Sequence, residues 1–150
     1  MIYQKFELDW RLYQLAIFNL IQNAVKYNED SGRIEIQLEL VPLRINQRNR
    51  LVGSVAQTSD YMFHTIITNT GQEISKERIP HMMKLFGELL QKQSMSKVKD
   101  KGIGVGLTCS KVISNAMNGD VVIMENERDY PCTTLKLTIP VKINIHMIDN

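Results

Sequence analysis

Asn19-Leu-Ile-Gln-Asn-Ala-Val-Lys-Tyr27 lies inside a helical run from about Trp10 to Tyr27. At ~100° per residue, Asn19, Asn23 and Lys26 fall on one narrow stripe. Leu12, Leu15, Ile17, Phe18, Leu20, Ile21, Ala24 and Val25 stand around the rest. A helix apolar around most of its circumference is expected to be buried. Buried amides and an ammonium then need partners. Magnesium would suit the amide oxygens, which are hard ligands, and phosphate would suit the lysine. A solvated polar stripe on an ordinary core helix would look the same, so the neighbouring segments decide.

Asp9 is placed to cap this helix, and Ile2–Leu8 before it reads as a short strand. The helix stops in the turn formers Asn28-Glu29-Asp30-Ser31-Gly32. Arg33–Leu40 then alternates, with Ile34, Ile36, Leu38 and Leu40 on one face and Arg33, Glu35, Gln37 and Glu39 on the other. That pattern predicts a strand with one wet side, closed by Pro42. Leu43–Asp60 reads as a long polar connection, and Tyr61–Asn69 as the second strand. Asn69 shares the parity of Phe63 and Ile67, which puts a side-chain amide on the inner face at the strand's end.

After Asn69-Thr-Gly-Gln-Glu-Ile74, Ser75 could cap a short helix. His81–Leu90 has helical spacing of Met82, Leu85, Phe86 and Leu89. Gln91–Lys101 is polar, carries Lys92, Lys97, Lys99 and Lys101, and is expected to be poorly ordered without a ligand. Gly102-Ile-Gly-Val-Gly-Leu107 opens a second long helix through about Asn118, with Gly119 as its expected stop. Asp120–Glu125 and Thr133–Val141 read as strands around a turn, with Pro140 as closure and Lys142–Asn150 left unassigned. Strands in adjacent pairs imply an α+β two-layer sandwich, with a mixed, mostly antiparallel sheet carrying helices on one face.

A length of 150 residues, 43% hydrophobic and 23% charged, suits one globular domain over the whole chain. A net charge of +2 from scattered basic residues gives no case for nucleic acid. No apolar run reaches the ~20 residues of a membrane span, and the first residues lack the features of a signal peptide. Cys109 and Cys132 form no Cys-x-x-Cys, which is simplest to read as a reduced, cytoplasmic setting. His64, His81 and His146 show no metal-ligand spacing. Alternate glycines just before a helix let backbone N–H groups approach phosphate at a helix N-terminus. Here no Lys-Ser/Thr pair follows and no strand directly precedes them, so a hinge reading stays open.

Together these segments resemble the ATP-binding catalytic domain of sensor histidine kinases, within the superfamily of Hsp90, DNA gyrase B and MutL ATPases with its Bergerat-type fold. Asn19-Leu-Ile-x-Asn23-Ala-x-Lys26-Tyr27 is similar to the N box, and Asn69-Thr-Gly71-x-x-Ile74 stands where the first glycine box belongs. Leu85-Phe86 occupies the place of the F box. Gly102-x-Gly104-x-Gly106-Leu107 resembles the second glycine box. Gly119-Asp120 through Pro140 is similar to the last strands, so the motifs fall within residues 7–141.

The resemblance implies MgATP as ligand and phosphoryl transfer as activity. Asn23 would ligate Mg2+, with Asn19 supporting it one turn earlier; Lys26 would reach phosphate and Tyr27 would lie against adenine. Asn69 takes the place of the family's aspartate, which accepts from the adenine amino group, and Gly71 would let the backbone pass close to the base. Gly102, Gly104 and Gly106, with Val105 and Leu107, would face the phosphates. Lys97, Lys99 and Lys101 would be lid cations, and Thr133 would stand near adenine. The implied partners are a dimerisation and phosphoacceptor histidine domain and a response regulator or receiver domain, with no direct membrane contact from these residues.

Departures from the family pattern imply weakened nucleotide binding. Asn69 accepts without charge assistance, which makes such bonds about twice as strong. Glu73 stands at an expected glycine, and Cys132 replaces the glycine before Thr133. A degenerate module acting as a docking or regulatory surface is therefore the alternative. The hydrolytic relatives carry a glutamate base where this chain has Asn19, which cannot take a proton from water at neutral pH. Histidine kinase is thus favoured over a gyrase- or Hsp90-type hydrolase.

Overall fold

A computed structural model describes residues 2–43, 57–80, 82 and 105–147. In chain order they form β1 (Ile2–Glu7), α1 (Trp10–Lys26), β2 (Ile34–Pro42), β3 (Gln57–Thr70), α2 (Val105–Ala116), β4 (Asp120–Met124) and β5 (Cys132–Met147). The sheet runs β1-β5-β3-β2, with β4 also on β5. This is the α+β architecture expected, and every pairing among the described residues is antiparallel rather than mixed.

Alternation explains which face the helices cover. Leu135, Leu137, Ile139, Val141 and Ile143 of β5 are buried on one face, with Ile67 of β3 and Val121 and Ile123 of β4. Ala16, Leu20 and Ala24 of α1 and Leu107 of α2 complete that core. Three small or medium residues at four-residue spacing give α1 a flat inner stripe against the sheet. The Tyr13 hydroxyl also meets Thr65 Oγ1 at 2.8 Å, and the Tyr13 ring lies 5.6 Å from that of Phe63.

α1 is not buried all round, as its composition suggested. Leu15, Phe18 and Val25 are 50, 57 and 62% exposed. The helix rests on the sheet on one side and against α2 on another, which leaves its outward arc to solvent. Asp9 caps it as expected, accepting from Arg11 and Leu12 N–H at 3.1 Å each.

Pro140 does not close β5, which runs on to Met147 and pairs its end with β1. The Thr70 N–H bonds to Arg33 O, so even-numbered β3 residues face β2 and odd ones face β5. Even-numbered β5 residues therefore point away from β3. On that flank, Pro140 falls between the β4 pairing, which ends at Thr138, and the β1 pairing, which starts at Lys142. Its missing N–H costs no ladder bond there. At the end of α2, Asn118 and not Gly119 takes the left-handed conformation, with φ 56°. Gly119 is needed for space instead, because a Cβ would run into the Thr138 carbonyl.

Candidate functional site

A cavity of about 230 Å³ opens between the C-terminal half of α1, the first turn of α2 and the adjoining ends of β3 and β5. Asn23, Ala24 and Tyr27 line it from α1, Leu107 from α2, and Asn69, Thr133 and Leu135 from the sheet. Gln72, Glu73, Ile74, Arg78 and Met82 close the remaining side. Its lining is mostly apolar with a few polar groups among it, as is usual for small-molecule sites.

The sheet contributes the deepest polar group. Asn69 and Thr133 are direct cross-strand partners on β3 and β5. Asn69 is 3% exposed, and its Nδ2 donates to Thr70 O at 2.8 Å and to Tyr27 O at 3.3 Å. Thr133 Oγ1 donates to Gln72 O at 3.1 Å, which holds the segment after β3 against β5. Gly71 has φ +121°, and a Cβ on it would lie 2.6 Å from Tyr27 O. Its glycine is thus required by the close approach to the end of α1.

The helices supply the second polar group. Gly106 sits in the first turn of α2 so near α1 that a Cβ there would be 3.1 Å from Asn23 Oδ1. Ser110 fixes this helix pair, donating to Ala16 O at 3.1 Å and to Gly106 O at 3.0 Å. The Asn23 amide therefore lies at the N-terminal end of α2, where the helix dipole favours negative charge. Among the described residues no cluster of three or more His, Cys, Asp or Glu could hold a metal by itself. The Asn23 amide oxygen fits Mg2+ as a hard ligand, with the shell to be completed by water and by phosphates that the helix N-terminus favours.

The other expected residues are less central. Asn19 bonds within its own helix, from Nδ2 to Leu15 O at 2.9 Å. Lys26 Nζ lies 5.1 Å from the centre of the Tyr27 ring and is exposed. Tyr27 lines the cavity and is 45% exposed. Val105 begins α2. Lys97, Lys99, Lys101, Gly102 and Gly104, with the F-box pair Leu85-Phe86, lie outside the described residues. Arg78 and Gln72 were not singled out from sequence, although both line the cavity. Arg78 was legible only as one of three charges in Lys76-Glu77-Arg78.

Among the described residues, an open antiparallel sheet with helices on one face holds a cavity against the asparagine-bearing α1 and the first turn of α2. The chain belongs to the histidine kinase-, DNA gyrase B- and HSP90-like ATPase family, whose model matches residues 9–143. It is 26% identical over 136 residues to the non-motile and phage-resistance protein of Caulobacter vibrioides, covering 91% of this chain and 14% of that one. It is 30% identical over 132 residues to the autoinducer 2 sensor kinase/phosphatase LuxQ of Vibrio harveyi, covering 88% and 13%. The heme sensor protein HssS of Staphylococcus haemolyticus is 27% identical over 130 residues, with 87% and 23% covered. The chain thus spans less than a quarter of the length of these relatives.

The fold is similar to that of the mycobacterial sensor histidine kinase MprB, with TM-score 0.59 and 18% identity over 89% of this chain and 75% of that one. The catalytic domain of histidine kinase ThkA gives 0.53 and 20% identity, with 88% and 68% covered. No described helix is long and apolar enough to cross a membrane.

Proposed function

We propose that this chain is the MgATP-binding catalytic domain of a cytoplasmic sensor histidine kinase region, presenting the γ-phosphate to a histidine on a separate dimerisation domain. The observation that carries this reading is the juxtaposition of Gly106 with Asn23, which lines the same cavity as the cross-strand pair Asn69 and Thr133. Asn69 Oδ1 would accept from the adenine amino group, Thr133 and Leu135 would border the ring, and Tyr27 would lie along its exposed side. The N-terminal end of α2, with Lys26, would receive the phosphates. Asn23 Oδ1 would hold Mg2+, which would supply positive charge to offset that of the phosphates. This chain's residues then bind and orient, and the incoming imidazole supplies its own lone pair, so no general base is needed here.

Asn19 supports transfer over hydrolysis, because an amide that donates to Leu15 O cannot act as a base. The partner domains would be the phosphoacceptor histidine domain and, downstream, a response regulator. A second reading, a nucleotide-poor docking module, is favoured by one observation: Glu73 places a carboxylate on the cavity lining. Incubation with γ-labelled ATP tests the two. The domain alone should remain unlabelled, and a separately supplied sensor-kinase phosphoacceptor domain should become labelled at histidine. Displacement of a fluorescent adenine nucleotide by ATP should accompany it. No displacement at millimolar ATP by the folded domain would select the docking module.

A further inference from the structure

β2 lies at one edge of the sheet. Its Ile36, Leu38 and Leu40 stand directly opposite Ile67, Thr65 and Phe63 of β3, so all six share the helix-bearing face. α1 packs over β3 and α2 over β4 and β5, which leaves Ile36 and Leu38 about half exposed. Ala16 and Asn23 of α1 meet α2 through Ser110 and Gly106. At ~100° per residue, the largely exposed Phe18 and Val25 stand on the opposite flank of the helix, toward β2. A trough of uncovered apolar side chains therefore runs between α1 and the sheet edge. The edge itself is open among the described residues. The Thr70 N–H bonds to Arg33 O, so odd-numbered β2 residues turn their backbone groups to β3. The N–H and C=O groups of Ile34, Ile36, Leu38 and Leu40 then point outward. Edge strands are commonly guarded by an inward-pointing charge or a bulge, and Ile34–Val41 pairs with β3 without either.

We infer that this edge is a self-association surface, on which β2 of a second copy adds antiparallel about a two-fold axis through Leu38. The inference goes beyond the nucleotide-binding reading and uses none of the residues that line the cavity. Leu38 is the middle residue of Ile34–Pro42, so this register uses the whole strand. Leu38 meets Leu38 of the second copy and Ile36 meets its Leu40, each pair exchanging both backbone hydrogen bonds. On the outer face Gln37 comes opposite Glu39, an amide donor against a carboxylate; within the strand Gln37 already donates to Glu39 at 2.7 Å. Neighbouring registers fail on charge, because like charges directly opposite destabilise a sheet. An axis at Gln37 sets Glu35 against Glu39, and one at Glu39 sets that carboxylate against itself. An axis at Ile36 leaves Leu40 beyond the overlap. The same rotation brings the two apolar troughs together. Phe18, Val25, Ile36, Leu38 and Leu40 each leave on the order of 100 Å² of apolar surface uncovered, ~500 Å² in all. With the strand edge added, that nears the ~800 Å² per partner of a stable interface.

The test is sedimentation equilibrium from micromolar to millimolar protein, on wild type, Leu38→Lys and Val112→Lys. Val112 is a comparably exposed apolar residue on α2, away from β2. The mass of wild type and of Val112→Lys should rise toward twice the monomer, and Leu38→Lys should stay monomeric. Because Leu38 is exposed, the Tm of Leu38→Lys in dilute solution should match that of wild type. Backbone amide exchange of wild type gives the second readout. The N–H groups of Ile36, Leu38 and Leu40 should exchange at least tenfold more slowly in concentrated than in dilute protein. A wild type that is monomeric throughout overturns the inference. So does a dimer that Leu38→Lys forms as readily, or one that leaves those three amides unprotected. Should Leu38→Lys fail to fold, the wild-type exchange decides: protection that grows with concentration upholds the strand pairing, and its absence overturns it.

Discussion

Gly106 and Asn23 meet across the α1–α2 seam so closely that a Cβ on Gly106 would sit 3.1 Å from Asn23 Oδ1 and 3.3 Å from Nδ2. The glycine thus sets the place of the amide as well as the path of the α2 backbone. Gly106→Ala should push the amide by a few tenths of an ångström. Mg2+-dependent ATP affinity should fall about three- to tenfold, on the order of 1 kcal/mol. Affinity without Mg2+ should change less, and Tm by no more than a degree or two. Titrations of both proteins with and without the metal check this.

Leu20 and Phe18 report how α1 is turned. Leu20 is fully buried, whereas Phe18 is largely exposed. Leu20→Ala should cost about 2–5 kcal/mol of stability, and Phe18→Ala about 0.5 kcal/mol or less. Denaturant unfolding of the two variants measures the contrast.

Tyr13 reaches Thr65, a buried residue of the central strand β3, with a 2.8 Å hydroxyl contact. Tyr13→Phe would leave that buried hydroxyl without its partner, at about 1–3 kcal/mol. A fall in Tm of several degrees is expected, with the far-UV spectrum unchanged.

Glu35 and Arg128 join β2 to the turn before β5 through a 3.0 Å ion pair on the outer face. The hydrogen bond from Arg128, followed by its charge, holds the Glu35 carboxyl below the ordinary value of 4.5. A lowered folded-state pKa means that the unfolded chain binds more protons in acid. The pair's contribution is therefore present above about pH 4.5 and lost as pH falls through the folded-state value. The Tm difference between wild type and Glu35→Gln should be present at pH 7, diminish as pH falls below about 4.5, and shrink in high salt.

Much of the fold was legible because its strands alternate cleanly. Ile34–Leu40 and Leu135–Ile139 follow period two, and Asp9 and Pro42 mark ends that the structure keeps, although Ile36 and Leu38 on the apolar face of β2 are 49 and 59% exposed rather than covered. The full length of β5 was not legible. Pro140 looks like a terminator until it is known that β4 and β1 share one flank of β5 with a gap between them. Nor could the sequence show that α1 leaves Leu15 and Phe18 outside, since the position of α2 decides which arc is covered.

At the site, Asn23, Tyr27, Asn69, Leu107 and Thr133 were all named from sequence, and all line one cavity. Asn69 stood out by parity alone. What sequence could not supply was its pair of carbonyl partners, because backbone acceptors carry no residue signature. Gly71 was read as letting the backbone pass close to the base, and sequence did not show that a Cβ there would also meet Tyr27 O. Arg78 escaped notice because an exposed charge after a turn has no periodicity to betray it.

The most direct measurement is a calorimetric titration of a non-hydrolysable ATP analogue into wild type and Asn23→Ala, with and without Mg2+. Micromolar to sub-millimolar binding that needs the metal, and is lost or weakened at least tenfold in Asn23→Ala, is the result this account predicts. Binding that ignores both Mg2+ and Asn23, or no binding at millimolar nucleotide by the folded domain, would contradict it.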